Sequence, residues 1–135
     1  MKALDGKTLV AGQIRPDDMP RIAAEGVTMI VNNRPDGEEP GQPFAAEIEV
    51  AAREAGIGYR HIPVAGGLYP DQVQAMAEAL EAAEGRTLAF CRSGTRSTYL
   101  WALARAQAGD KVGEIAGKVE AAGYDLTPIL PYLGR

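Results

Sequence analysis

Thr87-Leu88-Ala89-Phe90-Cys91-Arg92-Ser93-Gly94-Thr95-Arg96-Ser97 is the stretch that decides the fold. Its first four residues predict a short buried strand. Leu100, Leu103 and Ala104 share one face of the helix predicted to follow. Between strand and helix lies a tight loop, Cys91 to Ser97. Ligands of open α/β sheets bind at the carboxyl ends of strands. A loop entering a helix turns free backbone N–H groups inward, and the helix dipole adds positive potential. Arg92, Ser93, Gly94 and Thr95 would form such a nest around an anion. Gly94 lets the chain curl without a Cβ clash. Arg96, just inside the helix, can fold back and hold an oxyanion with two donors.

Cys91 is the single cysteine. Alone at a strand end it would read as a small buried hydrophobe. Two arginines, Gly94 and Ser97 beside it point instead to a thiol with a chemical task, because an apolar turn has no use for two guanidinium groups. Helix N-termini and neighbouring cations favour the thiolate. Cys91 is therefore expected as a nucleophilic anion inside an anion cradle, suited to attack on phosphorus or on sulfane sulfur. Ser97 is expected to donate to that thiolate and tune it.

Outward from this loop, strand-like and helix-like blocks alternate. Thr8 to Ala11 predicts a strand, Pro16 to Glu25 a helix stopped by Gly26, and Val27 to Val31 a buried strand. Asn32 to Pro43 is broken by Pro35, Gly37, Pro40, Gly41 and Pro43 and predicts a long loop, a common place for function. A helix from Phe44, a strand Tyr59 to Val64 and a flexible loop Ala65 to Pro70 follow. Asp71 is expected to cap a helix carrying Val73, Met76, Ala77 and Leu80. A last helix, about Val112 to Ala122, precedes a tail helical only in pieces. The alternation predicts one α/β domain, 1–135, with a central, mostly parallel sheet and helices on both faces.

The 135 residues are 46% apolar and 24% charged, which excludes a disordered chain. One cysteine makes neither an internal disulfide nor a multi-cysteine metal site, and one His with scattered acids makes no recognisable metal site, so no metal or cofactor is expected. The net charge of −4 carries no global basic field for nucleic acid. No targeting or membrane-spanning run is visible, so a cytoplasmic protein with a reduced thiol is expected, without nucleic-acid or membrane partners.

The loop resembles the active-site loops of cysteine-based protein phosphatases and of rhodanese-type sulfurtransferases. Gly12-Gln13, Ile30-Val31-Asn32-Asn33-Arg34-Pro35, Asp36-Gly37-Glu38, Ile62-Pro63-Val64 and Cys91 to Ser97 together resemble the beta-lactamase hydrolase-like protein, phosphatase-like domain family. That resemblance implies a fold like that of atypical dual-specificity phosphatases. Three departures bear on the reaction. Phe90 stands where such phosphatases usually have His. Four residues separate Cys91 from Arg96, the shorter, sulfurtransferase-like count. Ala65, Gly66 and Gly67 stand where a general-acid Asp usually follows the preceding strand.

General acid catalysis typically contributes about 10²–10⁴-fold, whereas persulfide transfer by thiolate exchange needs no acid. On those grounds sulfane-sulfur transfer through a Cys91 persulfide ranks first, with an external thiol as acceptor. Phosphomonoester hydrolysis through phospho-Cys91 is the alternative, and a non-catalytic anion-binding module the third reading. Asp36 and Asp71 are the candidate acids; Asp36 also suits a turn. Arg34 either adds positive charge to the anion site or braces the long loop by pairing with Asp36 or Glu38. Asn33 either hydrogen-bonds the nest and fixes its shape or is an ordinary turn residue, the turn being favoured; Glu38 and Glu39 read as solvated, and His61 as structural in preference to a general base. Trp101 is expected in the core or facing a partner, and Tyr99 at the mouth of the site.

Overall fold

The computed structural model describes residues 1–134. Five strands form one sheet in the order β1-β2-β5-β3-β4. They are β1 (Lys2–Ala3), β2 (Thr8–Ala11), β3 (Val27–Asn32), β4 (Gly58–His61) and β5 (Arg86–Phe90). All neighbours run parallel except β1, which pairs antiparallel with β2. The α/β class and mostly parallel sheet are as the alternation predicts; the two-residue edge strand β1 has no hydrophobic pattern to announce it.

The helices are α1 (Met19–Ala24), α2 (Ala45–Glu54), α3 (Pro70–Ala82), α4 (Thr95–Gln107), α5 (Val112–Ala121) and α6 (Leu130–Leu133). A 3₁₀ turn, Pro16–Asp18, leads into α1, and another, Thr127–Ile129, leads into α6. None of the helices among the described residues is long and apolar enough to cross a membrane.

Two apolar layers sandwich the sheet. Successive residues of a strand face opposite sides. Leu9, Ile30, Leu88 and Phe90 accordingly pack with Met19, Ile22, Ile48 and Ala52 on one face. Val10, Val31 and Ala89 pack with Met76, Leu100, Trp101, Ile115 and Val119 on the other. The long buried side chains of both layers make β5, the middle strand, rigid, and Cys91 follows directly from it. Trp101 is fully buried, so the core reading holds for it.

Two boundaries differ from expectation. β4 ends at His61 rather than Val64. Ile62 and Val64 still donate to the carbonyls of Asn32 and Asn33, but Pro63 between them has no N–H, and the ladder stops. Asp71 is not the cap of α3. Tyr69 holds that position, its N–H bonded to Gln72 Oε1 at 2.7 Å, with Pro70 as the first helical residue. Asp71 lies one place further in, where a carboxylate complements the helix dipole.

Candidate active site

Three strand ends build the site. The N–H of Cys91 donates to Ala11 O of β2 at 3.4 Å, and the N–H of Asn33 to Phe90 O of β5 at 2.8 Å. The turn then enters α4 through Gly94, whose φ of +93° puts it in the left-handed region. A side chain there would be strained, and a Cβ would also collide with the hydroxyl of Tyr124. The turn brings the Gly94 N–H to 3.1 Å from Cys91 Sγ. The thiol is fully buried, but among polar neighbours.

Arg96 folds back from the first turn of α4, as its position predicts. Its Nη1 donates to Val64 O at 2.7 Å and to Glu38 Oε2 at 2.7 Å, and its Nη2 to Glu38 Oε1 at 2.9 Å. The terminal fork is thus closed by one carboxylate. Among the described residues no oxygen accepts from Nε. Bonds to Glu38, and further the adjacent Cys91 sulfur, raise the Arg96 pKa.

Sequence reasoning named Glu38 only as a candidate partner of Arg34 and missed its bond to Arg96. Rather than being simply solvated, it bridges two arginines: its Oε1 also accepts from Arg34 Nε at 2.8 Å. Arg34 is 1% exposed and donates in addition to Gln13 Oε1 at 3.0 Å and Glu39 Oε1 at 2.9 Å. Burial opposes its charge, and the bonds to Glu38 and Glu39 outweigh that, so its pKa is raised. Of the two readings of Arg34, the geometry favours the brace: the side chain is buried, and all three of its nitrogens are engaged by Glu38, Gln13 and Glu39. Glu39 also lies 3.6 Å from Arg92, whose side chain is 68% exposed.

The Arg96 bond, then that of Arg34, hold the Glu38 carboxyl down to about 2 from an ordinary 4.5. A carboxylate whose pKa is depressed by folding stabilises the fold above its unfolded pKa and loses that contribution as pH falls through the folded one. Glu38 therefore supports the native state fully above pH 4.5 and progressively less toward pH 2. Glu38→Gln should remove that part of the acid sensitivity. Thermal melts at pH 6 and pH 3 test this: the gap between the two should narrow in the variant.

Ser97 does not donate to sulfur. Its hydroxyl proton goes to Asn33 Oδ1 at 2.8 Å, and Asn33 Nδ2 donates to Ile62 O at 2.9 Å. Both side chains are fully buried. Asn33 is therefore a joint between β3, the end of β4 and α4 rather than a turn residue. Ser93 Oγ and Thr95 Oγ1 bond each other at 3.1 Å at the rim.

Against this geometry the comparisons are informative. Residues 1–108 match the family described as beta-lactamase hydrolase-like protein, phosphatase-like domain. The chain belongs to that family. It is 37% identical over 139 residues to a beta-lactamase hydrolase-like protein of Xylella fastidiosa, covering 100% of this chain but 32% of the relative. The chain thus spans about a third of the length of the curated relatives it matches. Among solved structures it is similar to a Neisseria meningitidis protein described as a candidate phosphatase. Identity there is 35% and the TM-score 0.85, with 98% of this chain and 95% of that one covered. It shares a fold with kinase associated phosphatase, at 17% identity and TM-score 0.69, over 88% of this chain and 73% of that one. The fold is that of the cysteine-based phosphatases.

Within this family frame the remaining candidates lie as follows. Asp36 Oδ1 accepts from the N–H of Ala45 at 2.7 Å and caps α2, so it is a structural group in a turn with Gly37. Asp71 is exposed on the first turn of α3, and no hydrogen bond ties it to the loop. His61 Nε2 lies 3.0 Å from Arg34 O; a carbonyl only accepts, so this bond holds the Nε2–H tautomer and ties the ring to the start of the β3–α2 loop, the structural role expected of it. Tyr99 donates to Asp125 O at 2.7 Å, tying α4 to the C-terminal segment rather than bordering the mouth. A groove of about 790 Å³ runs between α3, α4 and α6 past Leu68, Tyr69, Val73, Leu103 and Tyr132, and the anion loop does not line it.

Proposed function

We propose that this domain hydrolyses phosphomonoesters through a phospho-Cys91 intermediate. The observation that carries this is the sulfur held by the Gly94 N–H at the start of α4, next to an Arg96 whose Nε–Nη2 side still has donors for an oxyanion. The fold shared with phosphatases supports the phosphoryl reading over sulfur transfer, reversing the order suggested by the shorter loop, Phe90 and the missing general acid. The Cys91 thiolate attacks phosphorus, and the ester P–O bond breaks. The electron pair leaves on the alcohol oxygen, which takes a proton from solvent. Water then attacks phosphorus and gives a proton to solvent, the S–P bond breaks, inorganic phosphate leaves and the Cys91 thiolate is regenerated. Arg96 and the N–H groups of residues 92–97 neutralise the charge gathering on the equatorial oxygens. A cycle that needs a free thiolate suits a reducing, cytoplasmic setting.

A second reading keeps one specific support. Asp36 is engaged at the start of α2, Glu38 is pinned in its ionised form, and no bond poises Asp71 over the loop, so the described residues present no proton donor already poised for a leaving group. Sulfane-sulfur transfer needs none: thiolate attacks the outer sulfur of thiosulfate, the S–S bond breaks, sulfite leaves, and an external thiol takes the sulfur. For hydrolysis the same fact favours aryl phosphates, whose leaving groups depart unprotonated.

One assay separates these. The purified domain is given an aryl phosphate, and in parallel thiosulfate with cyanide. Phosphate release is expected, falling at least about 10³-fold in Cys91→Ser. Thiocyanate without phosphate would establish sulfur transfer instead. Tight phosphate binding that survives Cys91→Ser, with neither product, would leave an anion-binding module.

A further inference from the structure

Tyr124 lies two residues beyond the end of the α5 cap, and its position follows from the local sequence. Gly123, at φ +91°, ends the helix. Its N–H donates to Glu120 O at 2.9 Å, and that of Tyr124 to Val119 O at 3.1 Å. This paired closure fixes the direction in which the chain leaves. It sends the half-buried Tyr124 ring to the anion loop, where the hydroxyl donates to Ser93 O at 3.1 Å.

That carbonyl and the Gly94 N–H belong to one peptide plane. In a trans peptide they point in opposite directions, and no peptide among the described residues is cis. A bond holding the carbonyl on the outer side therefore aims the N–H at the inner side, where Cys91 Sγ receives it at 3.1 Å. Hydrogen bonds in series also polarise one another, so a donated O–H makes the N–H a better donor. The collision between a Cβ at position 94 and the Tyr124 hydroxyl shows how closely the two parts fit.

We propose that Tyr124 is a positioning residue for the Cys91 thiolate, acting through the Ser93–Gly94 peptide. It rests on the reading of Cys91 as the reacting thiolate. Burial, and then the neighbouring Cys91 charge, raise the Tyr124 pKa, so the hydroxyl remains a donor to the Ser93 carbonyl. The other groups around the sulfur are Arg96 of α4, backed by Glu38 of the β3–α2 loop, and Arg92 within the loop, paired with Glu39. His61, at the end of β4, is occupied by Arg34 O.

Tyr124→Phe removes the O–H and keeps the ring. With one cysteine in the chain, the ultraviolet thiolate absorbance, taken as a difference against Cys91→Ser, reports this sulfur alone. The titration midpoint is expected to move up by about 0.5 pH unit, roughly threefold less thiolate below it. An unchanged midpoint in a folded variant overturns the proposal, since a merely structural tyrosine would lower the melting temperature and leave the midpoint alone. As a second measurement, the Gly94 amide proton of the unaltered protein should shift with the sulfur's midpoint; an amide indifferent to that titration also overturns it. Both are read without substrate, so they decide the role of Tyr124 whichever product the activity assay yields.

Discussion

Arg96→Lys is expected to lower kcat/KM for an aryl phosphate by about 10²–10³-fold, the range seen when one preorganised oxyanion donor is lost, with little change in melting temperature. The charge is retained, so any loss comes from geometry. The guanidinium holds the Val64 carbonyl and both Glu38 oxygens with its terminal nitrogens, keeps Nε and a second Nη2 proton over, and interacts with the Cys91 sulfur. A single ammonium cannot stay with Glu38 and reach an anion in the loop together. Glu38 remains paired with Arg34 in the variant, so the β3–α2 loop keeps its brace. Steady-state kinetics beside a thermal melt check this. Activity within about tenfold of the original would show that a point charge suffices and that the fork is not what holds the phosphoryl group.

The same contrast shows what was legible in the sequence. The anion loop was readable because its parts are neighbours along the chain: strand, cysteine, glycine, arginine and helix start fall within eleven residues, Thr87 to Ser97. The sheet class was readable from the alternation of strand and helix blocks. Glu38 was not, because its partner Arg96 is 58 positions away. Read locally, a glutamate between Gly37 and Pro40 looks like any solvated loop acid. Tyr124 was missed for a similar reason: the signal that ends α5 is local, yet its target, Ser93, lies 31 positions earlier. The assignment of Ser97 failed differently. A serine six residues after the cysteine has more than one acceptor in reach, and only the folded structure shows Asn33 taking its proton.

Asn33→Ala is expected to destabilise the domain by about 2–4 kcal/mol, since each buried polar group left without a partner costs about 1–3 kcal/mol. Two such groups result: Ile62 O loses the Asn33 amide and Ser97 Oγ loses its acceptor. Neither is placed to recover a partner from solvent, because Asn33 and Ser97 are fully buried and Ile62 is 8% exposed. Ser97→Ala should cost less, leaving only the Asn33 Oδ1 acceptor unmet while the Ile62 bond survives. In the double variant the Ser97 hydroxyl is no longer present to be orphaned. Its loss should therefore fall short of the sum of the single losses by about 0.5–3 kcal/mol, the coupling expected of residues in one buried network. Urea unfolding of the four proteins closes that cycle. Additive losses would mean that Ser97 and Asn33 are not coupled and would return the serine proton to the sulfur. In that case Ser97→Ala would act on the Cys91 titration instead of on stability.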